Sequence, residues 1–433
     1  MNKKITPPQS LHGCLQLPPD KSISHRAAMF AALHEGVSVI SNFSKAADPH
    51  STLGCLRRLG VKIHEQGDEE NTIKIEGVGR DGLSAPDRDL DCGNSGTTMR
   101  LLSGIIAGAG IPARLTGDES LSARTMKRII DPLSKMGAQI KAWDGDFAPL
   151  EISRNGKLTP LSFPLPIASA QLKSCVLLAG LFGDEPTEVI ETLPSRDHTE
   201  RLLNLPITQK NGQKIISSCR KNAIPKQSYR IPNDFSAAAF WLVAGAIHPD
   251  AEVELKNVGI NPSRTEALNI LDRMGVKIRI ENKRFEGAEP IADLSVSTAS
   301  LNAIVITEEE VPNCIDEIPI IAVAMLFADG VSRISGAEEL RHKETDRLSA
   351  VADILQKAGA EFTEFEDGLE VKGDPDFTPK AADFESFHDH RIAMSAAVLS
   401  LLAEAPSQIS GAECTAISYP AFWEDLLLLA EEK

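Results

Sequence analysis

One phrase of helix, glycine and strand recurs along this chain. It reads Leu56-Arg57-Arg58-Leu59-Gly60-Val61-Lys62-Ile63, Leu133-Ser134-Lys135-Met136-Gly137-Ala138-Gln139-Ile140, Leu271-Asp272-Arg273-Met274-Gly275-Val276-Lys277-Ile278 and Leu355-Gln356-Lys357-Ala358-Gly359-Ala360-Glu361-Phe362. Glycine supplies the left-handed turn that ends a helix, and the alternation behind it has the period of a half-buried strand. The interval from Gly137 to Gly275 is about twice the other two, which predicts a degraded copy near Leu202-Leu203-Asn204-Leu205-Pro206-Ile207. A sixth copy ends at the C-terminal helix, Phe422 to Leu429. Six units of this length predict two domains of three units rather than a solenoid, whose periods are shorter. With 433 residues, 42% hydrophobic and 24% charged, the chain has the material for such cores.

Polar clusters stand ahead of apolar helices in unit after unit. In Asp20-Lys21-Ser22-Ile23-Ser24-His25-Arg26, two cations and two hydroxyls precede the apolar run Ala27 to Leu33. Ser22 or Ser24 is predicted to cap a buried helix whose free N–H groups and positive dipole end favour phosphate or carboxylate. Gly93-Asn94-Ser95-Gly96-Thr97-Thr98 precedes Met99-Arg100-Leu101-Leu102, and its glycines let backbone N–H groups approach a ligand. It is not a P-loop, because no Gly-Lys-Ser/Thr follows. Ser169 and Gln171 open a further apolar helix, either as ligand-binding groups or as a simple cap. Arg124 and Arg196 lie in polar segments, where a lone arginine is also compatible with an ordinary surface charge.

The second half adds titratable groups. Asp316-Glu317 stands before the apolar run Ile318-Pro319-Ile320-Ile321, as a helix cap or as a general base within reach of a hydroxyl. In Arg341-His342-Lys343-Glu344-Thr345-Asp346-Arg347, Arg347 falls one helical turn after Lys343 and Glu344, the spacing of a solvated face with internal ion pairs. His388-Asp389-His390-Arg391 has two histidines but no third ligand at a helical or hairpin spacing, so no metal is expected. Seven scattered cysteines, without a C-x-x-C pair, argue against a disulfide framework and for a reducing cytosol. A net charge of −16 with 5% aromatic residues excludes a typical nucleic-acid binder, and no segment has the length of a membrane span. The expected partner is small and anionic, held by locally concentrated cations.

Taken together, Asp20 to Arg26, Gly93-Asn94-Ser95-Gly96-Thr97, Asp316-Glu317, Lys343-Glu344-Thr345-Asp346-Arg347 and Asp389-His390-Arg391 closely resemble, in order and spacing, the 5-enolpyruvylshikimate-3-phosphate (EPSP) synthase family. The resemblance runs from about Leu15 to the C-terminal helix. It implies an α/β fold: a two-domain inverted α/β barrel, three βαβαββ repeats in each domain, with the substrates bound in the interdomain cleft. It implies that residues 1–19 and 231–433 form one domain and residues 20–230 the other. The implied reaction moves the enolpyruvyl group of phosphoenolpyruvate onto the 5-hydroxyl of shikimate 3-phosphate and releases phosphate, with no metal or organic cofactor. A cytoplasmic monomer follows by the same likeness.

By motif correspondence, shikimate 3-phosphate would be held by Lys21, Ser22, Arg26, Ser169, Ala170, Gln171, Arg196, Asp316 and Lys343. Phosphoenolpyruvate would be held by Lys21, Gly96, Arg124, Gln171, Arg347 and Arg391. The resemblance makes Asp316 the acceptor of the hydroxyl proton, Glu344 the acid at the methylene carbon and Lys21 a third catalytic group. It also implies sensitivity to glyphosate, because tolerant relatives have alanine where this chain has Gly96. One departure stands out: Ile417 occupies a position that is lysine in many members.

Overall fold

The computed structural model describes residues 1–67 and 70–430. The chain divides into two compact units. One comprises Met1–Pro18, Asn233–Phe285 and the described residues from Pro290 onward; the other comprises Pro19–Pro232 with Glu286–Glu289.

Each unit is built from three copies of one motif. In the second unit, Leu90–Asp91 leads through the helix Gly96–Ala109 to the parallel strand Ala113–Thr116, and Ala138–Trp143 and Phe147–Arg154 complete the sheet antiparallel. A parallel pair needs a crossover, which the helix provides. The same order recurs with Ser162–Pro164, the helix Ala170–Gly180, Thr187–Glu191 and the hairpin Ile207–Lys210 with Gln213–Ser218. In the first unit it recurs around the helices Phe235–Ile247 and Ile318–Met325.

Two copies are completed by distant strands. Leu11–Leu15 runs parallel to Ala251–Gly259 as the lead strand of that sheet. Asn2–Ile5 pairs antiparallel with Ser407–Ser410, and fills in the sixth sheet the place that Gly368–Gly373 fills in the fifth. A single bridge, Ser41 with Arg230, supplies the parallel lead contact of the copy that contains the helix Lys21–Leu33.

The repeated glycines end helices as the sequence predicts. Gly60, Gly137, Gly275 and Gly359 have φ of +93°, +98°, +100° and +82°. The degraded copy keeps the geometry without the glycine: Asn204, at φ +49°, follows the helix His198–Leu202 and precedes the strand Ile207–Lys210. Asparagine is the side chain that best tolerates this region.

The opening helix of each copy lies inside its unit. Every residue of Phe235–Ile247, Ile318–Met325 and His390–Ser400 is buried; the first two helices are apolar almost all round, whereas the third also buries His390 and Arg391 in its first turn. These three pack on one another, and in the second unit Lys21–Leu33 and Ala170–Gly180 both pack on Gly96–Ala109. The last contact is close enough to require glycine: a Cβ on Gly104 would stand 2.2 Å from the carbonyl oxygen of Cys175. Among the described residues no helix is long and apolar enough to cross a membrane.

Candidate active site

Burying the apolar barrels of these helices brings their first turns together within each unit, and the polar motifs lie on those turns. In the second unit, Lys21–Leu33 is capped by Asp20, whose carboxylate accepts from the backbone N–H of Ile23 at 2.8 Å. This corrects the expected cap at Ser22 or Ser24. The helix begins at Lys21, so both serines lie within its first turn, and Ser24 Oγ donates to the Asp20 carbonyl at 2.8 Å. Gly96–Ala109 is capped by Ser95, and Ala170–Gly180 by Ser169.

Hydrogen bonds tie the three turns to each other. Gln171 donates from Nε2 to Thr97 Oγ1 at 3.0 Å and accepts on Oε1 from Arg100 Nη1 at 3.0 Å. His25 Nδ1 lies 2.7 Å from Thr52 Oγ1, which is 2.8 Å from Thr98 Oγ1. Lys21 Nζ is held 3.1 Å from Asp48 Oδ2.

Arg26 is buried, and donates to Thr199 Oγ1, the Ser22 carbonyl and Ser174 Oγ at 2.8, 3.0 and 3.0 Å. Burial, with Arg196 nearby, outweighs Asp20, Glu200 and Glu289 and lowers its pKa to about 10, which leaves it charged at neutral pH. Arg124 donates to Asn94 Oδ1 and Ser120 Oγ, each at 3.1 Å.

Beneath this cluster is a buried ionic group. Lys173 Nζ donates to Glu191 Oε1 at 2.8 Å, Glu200 Oε1 at 2.9 Å and the Ser195 carbonyl at 3.3 Å. It therefore pins the segment that carries Arg196 and Thr199.

The first unit holds a different cluster. Arg347, 1% exposed, donates from Nε to Asp389 Oδ2 at 2.8 Å, from Nη1 to Asp316 Oδ1 at 3.1 Å and from Nη2 to Glu344 Oε2 at 2.7 Å. Burial opposes its charge, but these three carboxylates more than offset it and raise the pKa above its ordinary value. The solvated helical face expected here does not form. Asp346 is an N-cap and Arg347 is the first helical residue, so Glu344 precedes the helix and the arginine turns inward.

Arg391 reaches back to the carbonyl of Asp316 at 2.8 Å, and its Nε lies 3.7 Å from Asp316 Oδ1. Lys343 is half-buried beside Glu344 in extended backbone. Glu317 makes no cap bond; it accepts from Ser236 Oγ. Ile417 packs against the core of this unit.

Lys21, Ser22, Arg26, Gly96, Arg124, Ser169, Ala170, Gln171 and Arg196 thus fall in the second unit, and Asp316, Lys343, Glu344, Arg347 and Arg391 in the first. Sequence reasoning passed over Arg100, Asp48 and Arg264. Arg264 had a signal, the turn-forming Asn261-Pro262-Ser263 before it, with Asn261 Oδ1 accepting from the Ser263 N–H at 3.0 Å.

The comparisons agree with this architecture. A sequence model described as EPSP synthase (3-phosphoshikimate 1-carboxyvinyltransferase) matches residues 5–426. The chain is 50% identical to 3-phosphoshikimate 1-carboxyvinyltransferase of Salinibacter ruber, over 98% of this chain and 99% of that one. It superposes on the EPSP synthase of Acinetobacter baumannii with a TM-score of 0.87 at 39% identity, covering 99% and 98% of the two chains. The enolpyruvyl transferase NikO from Streptomyces tendae has the same fold, with a TM-score of 0.76 at 18% identity over 99% and 97%. The architecture is thus one found among enolpyruvyl transferases. Within that class, this chain belongs to the EPSP synthase family.

Proposed function

We propose that the two clusters serve one reaction, the transfer of the enolpyruvyl group of phosphoenolpyruvate to the 5-hydroxyl of shikimate 3-phosphate in aromatic amino acid (chorismate) biosynthesis. Family membership supports the reaction. The observation that carries the assignment of roles is the setting of Asp316, whose carboxylate meets Arg347, Arg264 and Arg391 at 3.1, 3.6 and 3.7 Å.

Cations this close favour the ionised form, the form a base needs. Asp316 accepts the proton of the attacking hydroxyl. Glu344 gives a proton to the methylene carbon of phosphoenolpyruvate, which makes the neighbouring carbon electrophilic. The hydroxyl oxygen bonds to that carbon; Glu344 then recovers a proton from the new methyl group as the C–O bond to phosphate breaks, and the proton held by Asp316 passes to the departing phosphate.

The charges of the two substrates fall to the remaining groups. Shikimate 3-phosphate is taken by Lys21, Ser22, Arg26, Ser169, the Ala170 N–H, Gln171, Arg196 and Lys343, and phosphoenolpyruvate by Lys21, Gly96, Arg124, Gln171, Arg347 and Arg391. Three capped helix mouths favour anions in the first set, and guanidinium forks suit phosphate and carboxylate in the second. The proposed working form is a cytoplasmic monomer. Seven free cysteines are in keeping with a reducing compartment.

Phosphate release from phosphoenolpyruvate in the presence of shikimate 3-phosphate tests the reading. Wild type is expected to release phosphate, and Asp316→Asn and Glu344→Gln to lose about a hundredfold or more of that rate while still binding both substrates. No release by wild type, or full rates in both variants, would reject it.

A further inference from the structure

Resting on the reading of Asp316 as the base, we propose that Arg264 is a positioning residue that keeps Asp316 ionised and aligned while Arg347 and Arg391 turn to the substrate. Arg264 follows the strand Ala251–Gly259 in a turn closed by its own N–H donating to the Asn261 carbonyl at 2.8 Å. The residue is 3% exposed and its side chain points at carboxylates. Nη1 lies 3.6 Å from Asp316 Oδ2 and 3.6 Å from Glu317 Oε1. Nη2 donates to Ser236 Oγ and lies 3.5 Å from Asp234 Oδ1, while Ser236 Oγ donates onward to Glu317.

Two features of this arrangement carry the assignment. The oxygens of Asp316 are divided: Oδ1 faces Arg347 and Arg391, which the proposed function commits to phosphoenolpyruvate, whereas Oδ2 faces Arg264, which is committed to groups of the chain itself. When substrate anions draw the first two arginines, Arg264 stays on Oδ2 of the base. Asp316 and Glu317 are also adjacent carboxylates, and one guanidinium nitrogen is shared between them at equal distance. Without that cation, like charges side by side would push the proton affinity of one of them up. Charged groups packed on these arginines include Glu344 and Asp389 on Arg347, Asp234 on Arg264, and Glu317, whose Oε1 also lies 3.8 Å from Arg391 Nη1.

The pH profile of kcat with both substrates saturating decides the matter, because it reports the base in the substrate complex, and a merely structural residue would lower thermal stability without moving that limb. Removing a cation raises the pKa of Asp316, so the acid limb of Arg264→Gln is expected about one pH unit higher, with kcat reduced more than KM for phosphoenolpyruvate is raised. Arg264→Lys keeps the charge and is expected to keep the limb near its wild-type position.

A second pair of variants serves if Arg264→Gln does not fold. Glu317→Gln is expected to move the limb to lower pH, and adding Arg264→Gln to it to bring the limb back up. An unmoved limb in Arg264→Gln, or a double variant indistinguishable from Glu317→Gln, would overturn the proposal. Full phosphate release by Asp316→Asn would instead overturn the assignment of the base on which it rests.

Discussion

Arg347 donates to Glu344 at 2.7 Å with the same guanidinium that holds the buried Asp389 at 2.8 Å. A charge-assisted bond of this kind favours the carboxylate, yet the role proposed for Glu344 needs its protonated form. An anion arriving on Arg347 resolves the conflict, because it draws the cation away and raises the proton affinity of Glu344. Binding of both substrates to Asp316→Asn, in which turnover is expected to be slow, should therefore take up a proton near neutral pH. Calorimetry in buffers of different ionisation enthalpy reads this uptake. Equal uptake in Asp316→Asn with Glu344→Gln added would assign the proton to another group.

Lys173 is expected to be indispensable for stability. Its side chain and those of Glu191 and Glu200 are at most 1% exposed, and Lys214 shares the same carboxylates at 2.8 and 3.4 Å. Lys173→Met leaves buried carboxylate charge undercompensated and should cost about 3–5 kcal/mol in urea unfolding. Burial raises the pKa of Glu200, but Lys173 and Lys214 more than offset it and hold the group below its ordinary 4.5. Its stabilisation is thus full above pH 4.5 and lost as pH falls through the lowered folded-state value. Losing Lys173 raises that value, so the variant should lose less stability than wild type as pH falls below 4.5, and the gap between the two should narrow in acid.

His25 should make the protein less stable in mild acid. Burial, then Lys21 and Arg26, hold its pKa well below the ordinary 6.5. Between the folded and unfolded values, the unfolded chain binds a proton that the folded chain refuses, so stability is full above pH 6.5 and falls below it. The slope from this one group approaches about 1.4 kcal/mol per pH unit. Urea unfolding at successive pH values should show a shallower decline for His25→Gln; parallel curves would mean that His25 does not govern it.

Gly96→Ala tests the mouth of the second helix. An added methyl would meet Arg100 Nη1 at 2.5 Å, the mobile end of a long side chain, so the helix should still form. Arg100 then has to leave its 3.0 Å bond to Gln171. A raised KM for phosphoenolpyruvate is expected with little change in melting temperature. The unaltered protein is expected to be inhibited by glyphosate and Gly96→Ala to be less so; full activity of the former in excess glyphosate would contradict the role given to Gly96.

The repeat was readable because its signals are local. Helix ends at Gly60, Gly137, Gly275 and Gly359 need a left-handed residue, and the chain writes glycine there. Even the weak copy could be placed, although its turn residue is Asn204. Caps were harder to read: three side chains within one turn could have capped Lys21–Leu33, and only the backbone path decided for Asp20.

Local sequence thus determined the helices, their stops, the six-fold repeat and the motifs that reveal the family, since each depends on residues within a few positions of one another. Tertiary structure decided which charges meet. Nothing near Arg264 in the chain announces Asp316 and Glu317, and nothing near Lys173 announces Glu191 and Glu200. Arg347 looked like a solvated helix face and became the buried centre of three carboxylates. Such pairings are fixed when apolar helices bury their lengths against one another and bring their first turns to a common end, where electrostatics acts over a few ångströms of space between residues remote in sequence.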